Sequence, residues 1–272
     1  MNTIAVRDCI GDQEYVLLPF YKDGTPLAHG TRWGMTLRRA GTMRFRWNET
    51  NENRARLLAA LCGTKQPVSL ELTHSKTVYD ITSPIDTDGR TGDGMITRNA
   101  ALVPVVTVAD CVPVFLYDES TGVFGVCHSG WKGTGIIGNA LALAQEKYGT
   151  NPRDVCVAIG PHIHDCCYTV DERRAAYFAE QFTPACVKPM TDEDGNTCYR
   201  LSLATANGAV LARSGVRAEN IVIADDCTAC AQDTHGGYPF GSFRRQAAFL
   251  RHLSADEQSR AMTVQAAFCG WL

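Results

Sequence analysis

The sequence predicts a mixed α/β (α+β) protein. Short apolar runs rich in β-branched residues recur along the chain, and amphipathic segments with helix caps fall between them. No internal repeat, low-complexity tract or convincing interdomain linker divides the 272 residues. Length alone is compatible with one large or two ordinary domains. A hydrophobic share of 45% is enough for a sizeable core.

Taken in order, the N-terminal region has turn signals at Asp23-Gly24 and Gly41 and reads as irregular or β-rich. From Thr50 an amphipathic helix is expected. Thr50 or Asn51 caps it, Leu57, Leu58 and Leu61 form its apolar stripe, and Gly63 stands where a helix ends. Asn53 and Arg54 fall in its first turn. A guanidinium there can hold an anionic group, although on spacing alone a solvated surface arginine is the simpler reading. Residues 68–74 alternate like a half-buried strand that delivers His74 at its end, and a second alternating run starts at Thr77. Asp93 either orients a ligand or makes an Asx turn, the commoner fate.

The runs 105–118 and 123–129 each look like buried strand. Asp110-Cys111 interrupts the first, and Pro113 limits regular ladder pairing after it. Cys111 is therefore expected at a kink, where its side chain can be aimed. His128 ends the next strand, and Ser129-Gly130-Trp131-Lys132-Gly133-Thr134 leads into a helix reaching about Tyr148, closed by Gly149. A thiol and an imidazole at neighbouring strand ends can converge on one point. Buried inert thiols and hydrogen-bonded structural histidines are nevertheless common.

A strand over 155–159 breaks at Gly160-Pro161 into a loop carrying His162, His164, Asp165, Cys166 and Cys167. The residue types are those of a metal site, but we read His162 and His164 as substrate-facing. Helices are expected over 172–182 and 201–213, separated by a polar turn over 191–196. A short strand over 221–223 leads to Cys227-Thr228-Ala229-Cys230. A lone C-x-x-C suggests redox chemistry or half a zinc site, yet no second C-x-x-C follows at zinc-ribbon spacing, and the pair reads as structural. Residues 262–268 fit a closing strand.

Composition excludes several classes. The formal net charge of -3 argues against general phosphate-backbone binding, though not against a local anion pocket. No apolar run approaches the ~18 residues of a membrane span. The N-terminal residues lack a basic region followed by an apolar core, so a soluble cytoplasmic protein is expected. Twelve cysteines could indicate a disulfide scaffold, but such scaffolds are usually short chains without a core. Cys127, Cys156 and Cys269 sit inside apolar runs, and most of the thiols are expected to be reduced.

Three ordered blocks carry a resemblance. Ala109-Asp110-Cys111-Val112-Pro113-Val114 matches A-D-C-x-P plus an aliphatic residue. His128-Ser129-Gly130-Trp131-Lys132-Gly133 matches a pattern of H, A or S, G-W, R or K, then G. Ile159-Gly160-Pro161 with Cys166-Cys167-Tyr168 and Val170 matches I-G-P-x-I-x-x-C-C-Y-x-V. In these blocks the chain resembles the YfiH-like family, also called the laccase-domain or polyphenol oxidase family, which includes the peptidoglycan editing factor. Asn53-Arg54, Gly92 to Thr97, Cys227 to Cys230 and Phe240 to Arg245 resemble further family segments, with Gly241 and the glycines preceding the last block as departures.

The resemblance implies one domain over 1–272, with β-sheets packed between helical layers, similar to cysteine-hydrolase-like toxin domains. It also implies a metal, usually zinc, held by His74, Cys111 and His128. The first histidine stands here in Leu72-Thr73-His74-Ser75 instead of the family's Q-V-H-G. Such a set suits catalytic zinc with an open position, and its donors also admit copper. A true multicopper oxidase needs many more histidines than the seven here. Without metal, Cys111 beside either histidine can act as a thiolate nucleophile.

The activity the resemblance implies is phosphorolysis of adenosine, inosine or methylthioadenosine, with adenosine deamination beside it. Cys111, His74 and His128 would be catalytic, and Asn53, Arg54, Arg244 and His162 would bind substrate. The partners would be purine nucleoside and phosphate, without nucleic acid or membrane. The alternative is an amidase editing peptidoglycan precursors; a copper-dependent polyphenol oxidase or a non-enzymatic metal-binding module ranks below both.

Overall fold

The computed structural model describes residues 1–192 and 195–272. Two positions of the expected polar turn, 193 and 194, lie outside the described residues. Four longer helices stand close to where caps and periodicity place them. Helix α1 (Glu52–Cys62) opens on Asn51, whose side chain accepts the Arg54 N–H, and stops at Gly63 with φ +58°. Helix α2 (Ile136–Tyr148) ends at Gly149 in the left-handed conformation. Helices α3 (Glu172–Gln181) and α4 (Leu203–Arg213) are capped by the side chains of Asp171 and Ser202. The expected start of α4 at 201 moves because Thr197–Leu201 is a strand paired with Val187–Thr191. Two short helices, α5 (Phe243–Gln246) and α6 (Ala255–Arg260), follow.

The strands build two main sheets. One has seven strands in the order Asn2–Ile4, Ile221–Ala224, Cys156–Ile159, Val112–Asp118, Val123–Ser129, Gly94–Thr97, Val78–Asp80. The other has five, in the order Tyr15–Pro19, Arg32–Thr36, Gln265–Gly270, Leu102–Val108, Gln66–Ser69. Side-chain alternation sorts their faces. On Val112–Asp118, the residues Val112, Val114 and Leu116 pack with Ile136, Ile137, Ala140 and Leu141 of α2, and with residues of α3 and α4. Phe115 and Tyr117 point the other way, into a core shared with Val16, Trp33, Met35 and Val106 of the five-stranded sheet. The Trp33 and Phe115 rings meet between the sheets at 5.3 Å. The outer face of the five-stranded sheet, with Val103, Val105 and Phe268, packs on Leu57, Leu58 and Cys62 of α1. The result is a mixed α/β fold with two sheets between helical layers.

This layering explains the interrupted run at 105–118. Leu102–Val108 belongs to the five-stranded sheet and Val112–Asp118 to the seven-stranded one, so residues 109–111 carry the chain from one sheet to the other. Pro113 does not prevent pairing: it sits opposite His128 in the antiparallel hairpin of Val112–Asp118 and Val123–Ser129. The expected strand over 68–74 is shorter than the alternation implies. It stops at Ser69, because residues 73–75 turn inward to hydrogen-bond Asp93 and His74 takes φ +59°, which no strand accepts. Among the described residues, no helix is long and apolar enough to cross a membrane.

Candidate active site

Cys111 projects from the passage between the sheets. The preceding Asp110 has φ +80°, a left-handed backbone that is costly for a residue with a Cβ. Three contacts hold it there. Its carboxylate accepts the Thr228 Oγ1–H at 2.6 Å and the Arg244 N–H at 2.6 Å, and its carbonyl accepts the Ile163 N–H at 2.9 Å. His128 comes from the strand Val123–Ser129 and is buried, whereas His74 is exposed on its loop.

Asp93, fully buried, joins the two histidines. Its Oδ1 lies 2.9 Å from His128 Nδ1 and accepts the His74 N–H at 3.0 Å. Its Oδ2 accepts the backbone N–H and the hydroxyl of Ser75 at 2.7 and 2.6 Å. One carboxylate thus orients the His128 ring and shapes the loop that delivers His74. The ligand-capable atoms of His74, Cys111 and His128 all lie within 4.8 Å of one another. The two rings stand edge-to-face at 4.8 Å.

Gly130 is the gap in the middle. A Cβ there would meet His74 Cδ2 at 2.8 Å, Cys111 Sγ at 3.2 Å and His128 Cε1 at 3.5 Å. Two imidazoles and a thiol around a space that only glycine leaves open suit a borderline-soft cation. The carboxylate on the far nitrogen of His128 matches how metal-bound imidazoles are oriented.

The electrostatics follow from burial and proximity. Burial pushes the Cys111 thiol up, but the charge and hydrogen bond of His128, and then those of His74, outweigh it and hold it below the ordinary thiol range. Burial pushes His128 down, yet the Cys111 thiolate and the Asp93 carboxylate drive it well above the usual imidazole value. Burial likewise opposes ionisation of Asp93, whose hydrogen bonds from His128 and Ser75 keep it below the carboxylate range. The thiol and the His128 imidazole thus each favour the other's charged form, and the Asp93 carboxylate backs the imidazole.

His74 and Cys111 lie in the wall of a cavity of about 510 Å³, within the size range of small-molecule sites. Trp131, Tyr168 and Phe243 supply aromatic surface, and Arg46, Arg174 and Arg244 supply positive charge. The Arg174 guanidinium stacks on Trp131 at 4.3 Å, and Arg244 stands 5.7 Å from the centre of the Tyr168 ring. A smaller lobe of about 120 Å³, lined in part by Arg44, Phe45 and Leu72, adjoins the same three metal-ligand candidates.

Of the five residues expected to face substrate, Asn53, Arg54, His162, His164 and Arg244, the structure brings only Arg244 into this cavity. Arg54 is buried, donating to the Met43 carbonyl at 3.0 Å and to Ser69 Oγ at 2.6 Å. It borders a separate hollow with Trp47 and Asp88. It is therefore neither the solvated arginine that spacing favours nor a cavity residue. Asn53 donates to the Ala40 carbonyl at 2.6 Å and accepts from Arg56. His162 is buried with Nδ1 2.8 Å from the Gly160 carbonyl, and burial together with His164 pushes it down to about 3. These three side chains lie against their own surroundings, away from the cavity lining.

Sequence reasoning did not single out Arg46, Arg174 or the gap at Gly130. Arg174 sits in the first turn of α3 and Arg46 before α1, with no local signal that marks a cavity wall. Gly130 was visible within its motif, but its role depends on three side chains from three segments. For Asp93 the orienting role that the sequence left beside an Asx turn is the one its contacts describe.

Comparison with known proteins bears on this geometry. A family model described as multi-copper polyphenol oxidoreductase laccase matches residues 46–254. The chain is 36% identical over 142 residues to purine nucleoside phosphorylase YlmD of Geobacillus stearothermophilus, covering 52% of each protein. It is 34% identical over 140 residues to adenosine deaminase RL5 of an unknown prokaryotic organism, covering 51% of this chain and 53% of that one. The chain thus spans about half the length of these curated relatives in the matched region. The crystal structure of the Bacillus licheniformis hypothetical protein YfiH superposes with a TM-score of 0.72 at 25% identity, over 89% of this chain and 93% of that one.

Proposed function

The chain belongs to the multi-copper polyphenol oxidoreductase laccase family, and on that premise we propose that it is a metal-dependent purine nucleoside enzyme whose main reaction is phosphorolysis. The observation that carries this reading is the convergence of His74, Cys111 and His128 around Gly130, on a cavity lined by aromatic rings and three arginines. Relatives named purine nucleoside phosphorylase and adenosine deaminase support the substrate class.

His74, Cys111 and His128 would hold the metal, which we take to be zinc, the same donors also admitting copper. When bound it would supply Lewis acidity and lower the pKa of a bound water to about 7. The protein's own groups do the rest. Trp131, Tyr168 and Phe243 offer faces for a purine ring. Stacking occupies the face of the Arg174 guanidinium and leaves its edge N–H groups for a phosphate oxyanion. Arg46 and Arg244 add positive charge to the same space. A hydrogen phosphate held there attacks the anomeric carbon as the bond to the purine nitrogen breaks, and the proton it gives up ends on the departing purine, giving ribose 1-phosphate and free base. The arginines offset charge on the phosphate while positive charge develops on the sugar. Arg46, Arg174 and Arg244 take the anchoring role in this reading, in place of Arg54.

Adenosine deamination is the second reaction, favoured by the named deaminase relative. It needs hydroxide at C6 of the base instead of phosphate at the sugar, so one pocket serves both only if the base binds in two poses. Product analysis of metal-replete protein with adenosine and inosine, with and without phosphate, tests the proposal. Ribose 1-phosphate formed only with phosphate is expected. No nucleoside turnover, together with cleavage of a muropeptide-type amide, would assign the site to an amidase instead.

A further inference from the structure

A second group of soft donors lies apart from the His–Cys–His cluster and shares no residue with it. Cys166 and Cys167 stand in the loop after the strand Cys156–Ile159, and Cys227 and Cys230 in the loop after Ile221–Ala224. Their four sulfur atoms all lie within 4.8 Å of one another. Cys166 Sγ is 3.8 Å from Cys167 Sγ and 3.7 Å from Cys230 Sγ. Four thiolates at the Zn–S distance of about 2.3 Å make a tetrahedron with sulfur–sulfur edges of about 3.8 Å. The spacing along these two edges is thus that of a tetrathiolate site, and no two of the four sulfurs are more than 4.8 Å apart. It is well beyond the S–S length of a disulfide, about 2.05 Å.

The surroundings agree with this. The His164 N–H points at Cys227 Sγ at 3.4 Å, while the Cys230 N–H closes the turn on the Cys227 carbonyl at 3.2 Å. An amide donor such as that of His164 stabilises a metal-bound thiolate. Arg245 donates to the carbonyls of Thr228 and Ala229 at 2.7 and 2.9 Å, placing positive charge beside a centre that would carry net negative charge. The two loops already touch, since the Thr228 N–H donates to the His162 carbonyl at 2.9 Å.

We propose that Cys166, Cys167, Cys227 and Cys230 bind one structural zinc ion. Each thiol gives up its proton on binding, and no oxidation is involved. The ion clamps the loop after Cys156–Ile159 to the loop after Ile221–Ala224. Thr228, inside the C-x-x-C turn, holds Asp110 and hence the backbone beside Cys111. The clamp therefore steadies the catalytic cysteine from behind, whatever reaction the cavity supports.

The test uses the full chain carrying Cys111→Ala, which cripples the other centre, purified under reducing conditions and reconstituted with zinc alone. X-ray absorption should find one zinc per chain, surrounded by four sulfur neighbours at about 2.3 Å. In the otherwise wild-type protein, Cys230→Ser should remove one equivalent of bound zinc. It should also lower the thermal midpoint, and cobalt substitution should lose most of its thiolate charge-transfer absorption. A folded, reduced Cys111→Ala chain that takes up no zinc, or binds it through nitrogen and oxygen neighbours, overturns the proposal. So does an unchanged zinc content in folded Cys230→Ser.

Discussion

At Gly130 the absence of a side chain is what lets His74, Cys111 and His128 share one space. Gly130→Ala should keep the fold and lose the centre. A methyl 2.8 Å from His74 Cδ2 displaces that ring, and a displacement of this kind costs about a hundredfold in turnover. Activity and metal content measured on protein with an unchanged circular dichroism spectrum check it. Asp93 is the complementary case. Asp93→Asn leaves the shape but weakens the orientation of His128, and metal affinity should fall about 10- to 100-fold. Because the folded-state pKa of Asp93 is depressed, its stabilising contribution is complete above the ordinary carboxylate value of about 3.9 and is lost as pH falls below it. The variant should therefore show a shallower loss of stability with acid than the wild type. For Cys111 the measurement is alkylation of the metal-free protein. Its half-maximal rate should occur well below the ordinary thiol pKa of about 8.5, and His128→Ala should move it upward.

Among the elements, the helices were legible because caps and periodicity are local. Asn51, Gly63 and Gly149 bound α1 and α2 where sequence reasoning placed them. The strand carrying His74 was not, since its alternation continues past Ser69 while long-range hydrogen bonds to Asp93 redirect the backbone. The passage at 109–111 was legible as a kink, but not as a change of sheet, because the two strands differ only in their partners. Its rigidity depends on Asp110. Thr228→Val removes a buried donor from that carboxylate and should cost about 1–3 kcal/mol in urea unfolding. Loss of turnover in the folded fraction should accompany this, since Cys111 follows directly. An unchanged unfolding midpoint would show that Asp110 is held by its other contacts alone. The C-x-x-C turn was read as structural, and no second C-x-x-C exists to complete it. Its neighbours are the vicinal pair Cys166-Cys167, brought close by parallel pairing of Cys156–Ile159 with Ile221–Ala224.

On the scale of the whole molecule, two sheets packed face to face deliver three segments to one point: the loop before Val78–Asp80, the passage between the sheets, and the end of the central hairpin. Composition and periodicity established the α/β class, and the three motif blocks implied the layering. Of the cavity's cationic wall only Arg244 was legible, through its motif, because Arg46 and Arg174 come from segments far from it in sequence and carry no local signal. The most direct test of the central claim, that nucleoside cleavage occurs at the His74–Cys111–His128 centre, is ribose 1-phosphate production from inosine and phosphate by wild type and Cys111→Ala, both folded and equally loaded at the tetrathiolate site. The wild type should form ribose 1-phosphate and the variant essentially none. Equal rates in the two proteins would contradict the account.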